Sequence, residues 1–327
     1  MRSIVILMIF LALSAAAPIA AQDLAPGWNP ITPGGSALCA RGTPYTFYAR
    51  PGDPAKLLIY FQGGGACWND ETCAPGAGWF DEIVVGGEAD NYSQGVFDPN
   101  NGENPLAGYS AVMVTYCTGD YHTGDRRVEY ATGAVEHRGA VNAAAAIAWT
   151  ARQFPRPSQV VIAGCSAGAI GSIYHAPAIL RRYANARVTQ FGDAGVGVIP
   201  PAWGGFDVWG ARRNTTPDQV VTRLYRAAAG NAPRARFGQY TTAQDSVQTT
   251  YYTIMGAVNA WTLEMNARID TLVGRANFRA YVAPGGEHCI AESGRFYGES
   301  ANGVRFRDWF AALVGGDLPG NVRCEGC

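Results

Sequence analysis

The sequence has little charge and no surplus of either sign. Its 327 residues carry 25 basic and 26 acidic side chains, 16% charged in all, for a net charge of −1. Neutralising a nucleic-acid backbone takes a basic excess, and an anionic membrane surface takes a polybasic patch; neither is present. Nearly every basic residue is arginine, with Lys56 the exception. Internal repeats and interdomain linkers are also lacking. Hydrophobic residues, by contrast, make up 48% of the chain, ample for a sizeable core, so the disordered and low-complexity classes are excluded. The 41 glycines and 19 prolines point to many tight turns and shaped loops.

No long hydrophobic run occurs after the N-terminus. The first segment reads as an export signal: Arg2, an apolar run from Ile4 to Leu13, then the small residues Ser14 to Ala17. Cleavage is expected after Ala21. The run is too short for a comfortable membrane span, and no membrane span is expected elsewhere. The mature chain is then 22–327, in the periplasm or outside the cell. Cysteine use agrees, since all eight cysteines follow the cleavage site. An even count in an exported chain points to disulfides, although eight cysteines permit about a hundred pairings. Cys67 and Cys73 are spaced to close a small loop. Cys324-x-x-Cys327 has the spacing of a metal half-site or redox pair, but no second such pair or neighbouring histidine completes a zinc site. Structural bridging is the expectation for all eight, with no metal and no organic cofactor.

Strand and helix patterns alternate along the chain. Strands are expected at Lys56 to Gln62, Tyr109 to Tyr116, Gln159 to Ala163, Arg187 to Phe191, Arg236 to Thr242 and Phe278 to Ala283. Helices are expected at Gly139 to Phe154, Ala167 to Tyr183, Pro217 to Ala229, Val258 to Leu272 and Arg305 to Val314. Pro177 should kink or restart the second of these. The alternation predicts an α/β fold, a mainly parallel central sheet with helices on both faces, formed as a single domain over 22–327.

The chemistry falls at strand ends. Gly164-Cys165-Ser166-Ala167-Gly168 matches G-x-S-x-G between a strand and a helix, the context of a nucleophile elbow. Small flanking residues let the backbone close sharply and project Oγ, while the helix N-terminus adds partial positive charge. The alternative is a tight turn whose serine caps the helix. Upstream, Gly63-Gly64-Gly65 follows the first strand, where an α/β-hydrolase places its other oxyanion donors. Gly64, Gly65 and Ala167 are therefore the candidate oxyanion amides. Of four histidines, His122 and His137 precede the serine and His175 lies in the helix leading away from it. That leaves His288, after the last strand, as candidate base. The acid should lie between Ser166 and His288. Asp193 follows the fourth strand and Asp245 the fifth; the common position two strands past the nucleophile favours Asp245, and Asp193 could instead bond backbone amides of its own turn.

The segments FQGGGACWNDETC, TYCTGDYHTGD, GCSAGAIGS, TTAQDSVQ and GEHC, in that order, resemble the pectin acetylesterase and Notum family of serine esterases. The likeness runs from about Leu58 to Cys289. It implies an α/β-hydrolase fold and esterase activity. It carries the nucleophile onto Ser166, the acid onto Asp245 within D-S-x-Q, the base onto His288 and the oxyanion loop onto Gly63 to Gly65. The segment around Asp120 resembles a family motif beside the pocket, where Asp120 orders loops more readily than it performs chemistry. Two departures bear on pocket shape: Ala66 stands where many relatives have Trp, with Trp68 slightly later, and Ala169 follows Ser-Ala-Gly where Gly is common.

The expected function is a secreted serine carboxylesterase that removes acetyl or other short acyl groups from plant cell-wall polysaccharide such as pectin. Its partner is an ester substrate, an acylated polysaccharide. Trp68, Asp120 and Tyr121 are candidate substrate contacts. Pectin is polyanionic, which makes Arg126 and Arg127 a candidate local patch, although adjacent arginines are usually a solvated face. An esterase of lipids or polyesters would use aromatics such as Trp68, Trp79 and Tyr121 as an apolar groove. A carbohydrate-binding hydrolase-like protein would have no need of a nucleophile turn, and a protease is not excluded by the triad alone.

Overall fold

The computed structural model describes residues 22–211, 215–258 and 260–327; the export signal expected at 1–21 lies outside them. In chain order the elements are β1 (Asn29–Ile31), β2 (Phe47–Arg50), β3 (Asp53–Phe61), β4 (Tyr109–Val114), the hairpin β5 (Arg126–Tyr130) and β6 (Gly133–His137), and α1 (Gly139–Gln153). Then come β7 (Gln159–Cys165), α2 (Ala167–Arg182), β8 (Arg187–Asp193), the short α3 (Gly205–Val208), α4 (Val220–Asn231), β9 (Arg236–Thr242) and α5 (Ser246–Ile254). The chain closes with α6 (Trp261–Val273), β10 (Phe278–Ala283), the small pair β11 (Ser300–Ala301) and β12 (Val304–Arg305), α7 (Phe306–Gly315) and β13 (Val322–Arg323).

Nine strands form one sheet in the order β1-β2-β4-β3-β7-β8-β9-β10-β13. From β4 to β13 every pairing is parallel; only β2 runs antiparallel, between β1 and β4. This is the mainly parallel α/β-hydrolase-like sheet the sequence predicts. The central strands are buried throughout: β4 and β7 have no exposed residue. Parallel strands covered by helices on both faces read as continuous apolar runs, and that is why these were legible without an alternating pattern.

Several elements differ from expectation. Helix α2 runs unbroken through Pro177, which does not restart it. Its first two turns are packed into the core from Ala167 to Ile173, so tertiary burial outweighs the lost backbone hydrogen bond. The expected Val258 helix starts at Trp261. Strands β1 and β2, the β5–β6 hairpin and helix α5 carried no signal the sequence reading used. Helix α5 is rich in threonine and tyrosine, poor helix formers, and is initiated instead by its cap: the Asp245 carboxylate accepts the Gln248 amide.

All eight cysteines are bridged, as Cys39–Cys117, Cys67–Cys73, Cys165–Cys289 and Cys324–Cys327. His137 lies near the second pair and His288 near the third. Bridged sulfurs offer no thiolate, so neither group is a metal site while oxidised. Four disulfides are the chemistry of an oxidising compartment and suit an extracellular protein. No helix among the described residues is long and apolar enough to cross a membrane.

Candidate active site

Ser166 sits between β7 and α2 with φ 57° and ψ −122°, a backbone region that costs about 1–3 kcal/mol for a non-glycine residue. Its neighbours hold it there. The Ser166 amide donates to Asp193 O at 2.8 Å, and its carbonyl accepts the Ala169 amide at 2.9 Å. A Cβ on Gly164 would run into the Gly168 carbonyl, and one on Gly168 into that of Phe61. The two glycines of the pentapeptide are thus dictated by close backbone approach. Other non-glycine residues with left-handed backbone are Tyr121, His122, Ala194, Cys289 and Asn302. All but Asn302 lie in or beside the same site, and such concentrated strain marks functional centres.

The loop after β3 is held by its carbonyls, which frees its amides. Gly64 O accepts the Asp81 amide at 3.0 Å, and Gly65 O accepts the Tyr116 hydroxyl at 3.0 Å. Gln62 O accepts from His122 Nε2 at 2.9 Å. The Ala66 amide donates to Trp79 O at 3.0 Å, and the Tyr251 hydroxyl donates to the same carbonyl. Among the described residues, the amides of Gly64, Gly65 and Ala167 have no acceptor. Gly63 packs directly on the Ser166 turn, with its would-be Cβ 3.2 Å from that of Ser166. Three free amides beside one serine can converge on an oxyanion.

His288 lies on the loop after β10, tied to the loop after β9: the Ser246 amide donates to Gly286 O at 2.9 Å and the Thr242 hydroxyl to Glu287 O at 2.8 Å. His288 Nδ1 is 2.9 Å from both oxygens of Asp245, whose side chain is fully buried. Asp245 also accepts the Gln248 amide at 2.9 Å and Gln248 Nε2 at 3.0 Å. This fixes a tautomer with the proton on Nδ1, leaving Nε2 as the basic nitrogen. Nε2 has no partner among the described residues, and His288 shares a cavity with Ser166. Catalytic contacts of this type commonly tighten only around substrate.

Asp193, the other candidate acid, does something else. Its Oδ2 accepts the amides of Ile290 and Ala291 at 2.8 and 2.7 Å, just past the histidine. These are amides of the β10 loop rather than of its own turn. Burial pushes its carboxyl up to about 7. The Cys165–Cys289 bridge makes a second tie between the same two segments, joining the residue before Ser166 to the residue after His288.

The remaining histidines support backbone. Burial depresses His122 to about 3 and His175 and His137 to about 4, so all three are neutral near neutral pH. His175 Nε2 lies 2.8 Å from His122 O, and His122 in turn holds the glycine loop after β3 through Gln62 O. Asp120 is fully buried and accepts the amides of His122, Gly124 and Gly139 and the Thr118 hydroxyl. It orders the loop and lines neither cavity at Ser166. Trp68 packs edge-on against Trp203 and lines neither cavity described here. Arg127 pairs with Glu129 and Glu136, and Arg126 donates to Asp207 O, so neither faces the site.

Two cavities meet at Ser166. One, of about 50 Å³, is lined by Tyr121, Ile170, Val198, Ile199, Val247 and Met255 among others. Val247, Tyr251 and Met255 recur every four residues and so present one face of α5 and its C-terminal cap to it. The other, of about 370 Å³, holds His288 and is lined by Gln62, Trp79, Asp81, Tyr92 and Glu292. Sequence reasoning missed Asp81, Tyr116, Tyr251 and Glu292. Only Gln248 left a mark, three residues after Asp245 as a capping box requires.

The sequence model of the pectinacetylesterase family matches residues 32–200, which include the glycine loop and Ser166. The chain belongs to the pectinacetylesterase family. It is accordingly a carboxylic ester hydrolase. Two crystal forms of the Wnt deacylase Notum from Drosophila share its fold. One is 17% identical, covers 88% of this chain and 93% of that chain, and has a TM-score of 0.64. The other is 15% identical, covers 90% and 95%, and has a TM-score of 0.66. Ser166 lies within the residues that the family model matches, whereas Asp245 and His288 lie beyond them.

Proposed function

We propose that this pectinacetylesterase-family protein is a secreted or periplasmic serine esterase that removes acetyl or similarly short acyl groups from a polysaccharide. The export signal at 1–21, with cleavage after Ala21, is part of this reading. Ser166 is the nucleophile, His288 the base, Asp245 the acid, and Gly64, Gly65 and Ala167 the oxyanion donors. His288 Nε2 takes the Ser166 proton as Oγ attacks the ester carbonyl. Asp245 stabilises the imidazolium without taking its proton. The negative oxygen of the tetrahedral intermediate is received by the three amides; losing one such donor costs about 3 kcal/mol of transition-state stabilisation. The protonated His288 passes its proton to the leaving alcohol. Water then attacks the acyl-enzyme by the same route, releasing the carboxylic acid.

The observation that carries the short-acyl reading is the size of the apolar cavity. A cavity of roughly 150 Å³ holds a benzene ring, whereas this one is about 50 Å³. Two to four acyl carbons fill it. A lipid-length chain would have to run out of it into solvent, which disfavours the lipid and polyester alternative. The test is hydrolysis of p-nitrophenyl esters from acetyl to palmitoyl. Acetyl to butyryl should be preferred, Ser166→Ala should be inactive, and Asp245→Asn should lose about 10⁴-fold in kcat. Preference for palmitoyl, or full activity in Ser166→Ala, would overturn the reading.

A further inference from the structure

The proposed reaction leaves the alcohol half of the substrate undefined, and the larger cavity speaks to it. An ester bound at Ser166 with its acyl group in the apolar cavity must direct its alcohol toward His288, which has to protonate it. That side is the cavity of about 370 Å³. It is a substrate site on the ground that Ser166 and His288 both open into it, independently of its charge.

Its walls carry carboxylates from two separate segments. Asp81 stands at the rim, its carboxylate close over the Gly64 Cα, and no side chain among the described residues bonds or pairs with it. Burial and the nearby Glu88 push it up to about 6, so it is ionised at pH 8. Glu292 lies deeper, one oxygen accepting the Tyr60 hydroxyl at 2.9 Å. Glu88 stands behind the wall, accepting from Gln62 Nε2 and from the Val85 amide. No arginine or lysine is among the described residues that line either cavity. Arg41 and Arg295 are engaged elsewhere, by Glu82 at 2.9 Å and Glu299 at 2.8 Å. Beside the carboxylates are the indole of Trp79 and the phenol of Tyr92. Carboxylate oxygens accept from hydroxyls, and an aromatic face packs against the C–H face of a sugar ring.

We infer that this cavity binds the alcohol half as an uncharged sugar and rejects a uronate, so that the natural substrate is an acylated neutral glycan rather than a polyuronate. The inference rests on the esterase reading above and narrows it. A uronate carboxylate brought within several ångströms of Asp81 meets like charge with no compensating cation. At the effective dielectric of a protein surface this is worth about tenfold or more in kcat/KM.

The experiment compares two small esters that differ by one carboxylate, methyl 3-O-acetyl-glucopyranoside and methyl 3-O-acetyl-glucopyranosiduronate, at pH 8 and low salt. p-Nitrophenyl acetate is assayed alongside to report the esterase chemistry itself. The wild type should favour the neutral sugar by about tenfold. The gap should shrink as salt screens the charge. Asp81→Asn should shrink it at low salt, read as the ratio of the two substrates within one variant. Equal or faster turnover of the uronate overturns the inference, as does a ratio that neither salt nor Asp81→Asn changes. Hydrolysis of p-nitrophenyl acetate with neither sugar ester turned over overturns the sugar site and leaves the esterase reading standing. No hydrolysis of any of the three ends both.

Discussion

Removing the Cys165–Cys289 bridge should damage catalysis out of proportion to stability. The bridge spans a sequence separation of 124, joining the Ser166 turn to the His288 loop. Cys39–Cys117 spans 78. Both pairs are buried. In the chain-entropy picture each constrains the unfolded chain by about 4–5 kcal/mol, nearly the same amount because the dependence on loop length is logarithmic. Cys39→Ala/Cys117→Ala and Cys165→Ala/Cys289→Ala should therefore lose similar unfolding free energy in urea. Their kinetics should differ. Without the bridge, His288 is held by Asp245, by the two amide bonds to Asp193 and by the bonds of Gly286 O and Glu287 O to the loop after β9, all on its own side of the sheet end, while Cys289 keeps a left-handed backbone with no covalent tie to the Ser166 turn. A displacement near 1 Å at a catalytic group costs about a hundredfold in rate. The expected result is a fall in kcat of about that size for the Cys165/Cys289 variant, and only a few-fold for the other, assayed on p-nitrophenyl acetate well below both melting temperatures. Equal kcat in the two variants would falsify the positioning role and leave the bridge as a staple like any other.

Three further outcomes follow from the geometry. Gly65→Ala places a Cβ against the Trp79 carbonyl at a φ of 75° and should lower kcat about a hundredfold or more with less effect on KM, checked by steady-state kinetics. Met255→Ala enlarges the apolar cavity and should raise butyryl over acetyl turnover by roughly tenfold; an unchanged ratio would show that the acyl group lies elsewhere. His175 is neutral and buried, with a folded pKa of about 4 against 6.5 when unfolded, so its contribution to stability is present above pH 6.5 and is lost as pH falls from there toward 4. The full loss is about 3 kcal/mol. His175→Phe keeps the stack on Phe61 and should flatten the fall in melting temperature between pH 6.5 and 4.5, at a small cost at pH 8 from the lost bond to His122 O.

The sequence by itself determined the central parallel strands and the elbow, though not the order of the strands or the sheet's edges. Strands β3, β4, β7 and β10 are apolar enough to read directly, since a buried parallel strand needs no solvent face. The pentapeptide around Ser166 could be read because a sharp strand-to-helix turn admits only small residues on either side. The order serine, acid, histidine left His288 by elimination, because the other histidines lie too early or in the wrong element. What those three do was not legible: holding carbonyls of the loops is a long-range contact, as His122 to Gln62 shows. The choice between Asp193 and Asp245 likewise rested on position. Only the tertiary structure pairs Asp245 with His288 and gives Asp193 to the amides of Ile290 and Ala291, because both bonds cross from one strand end to another. Disulfide pairing was open for the same reason. Asp120 and Trp68 sit in motifs near the site, yet one turns into its own loop and the other onto Trp203, since motif proximity does not fix side-chain direction. The size of the apolar cavity and the charge of the larger one belong wholly to the tertiary structure. They are set by side chains as distant in sequence as Tyr121 and Met255, or Asp81 and Glu292, which folding alone brings to one serine.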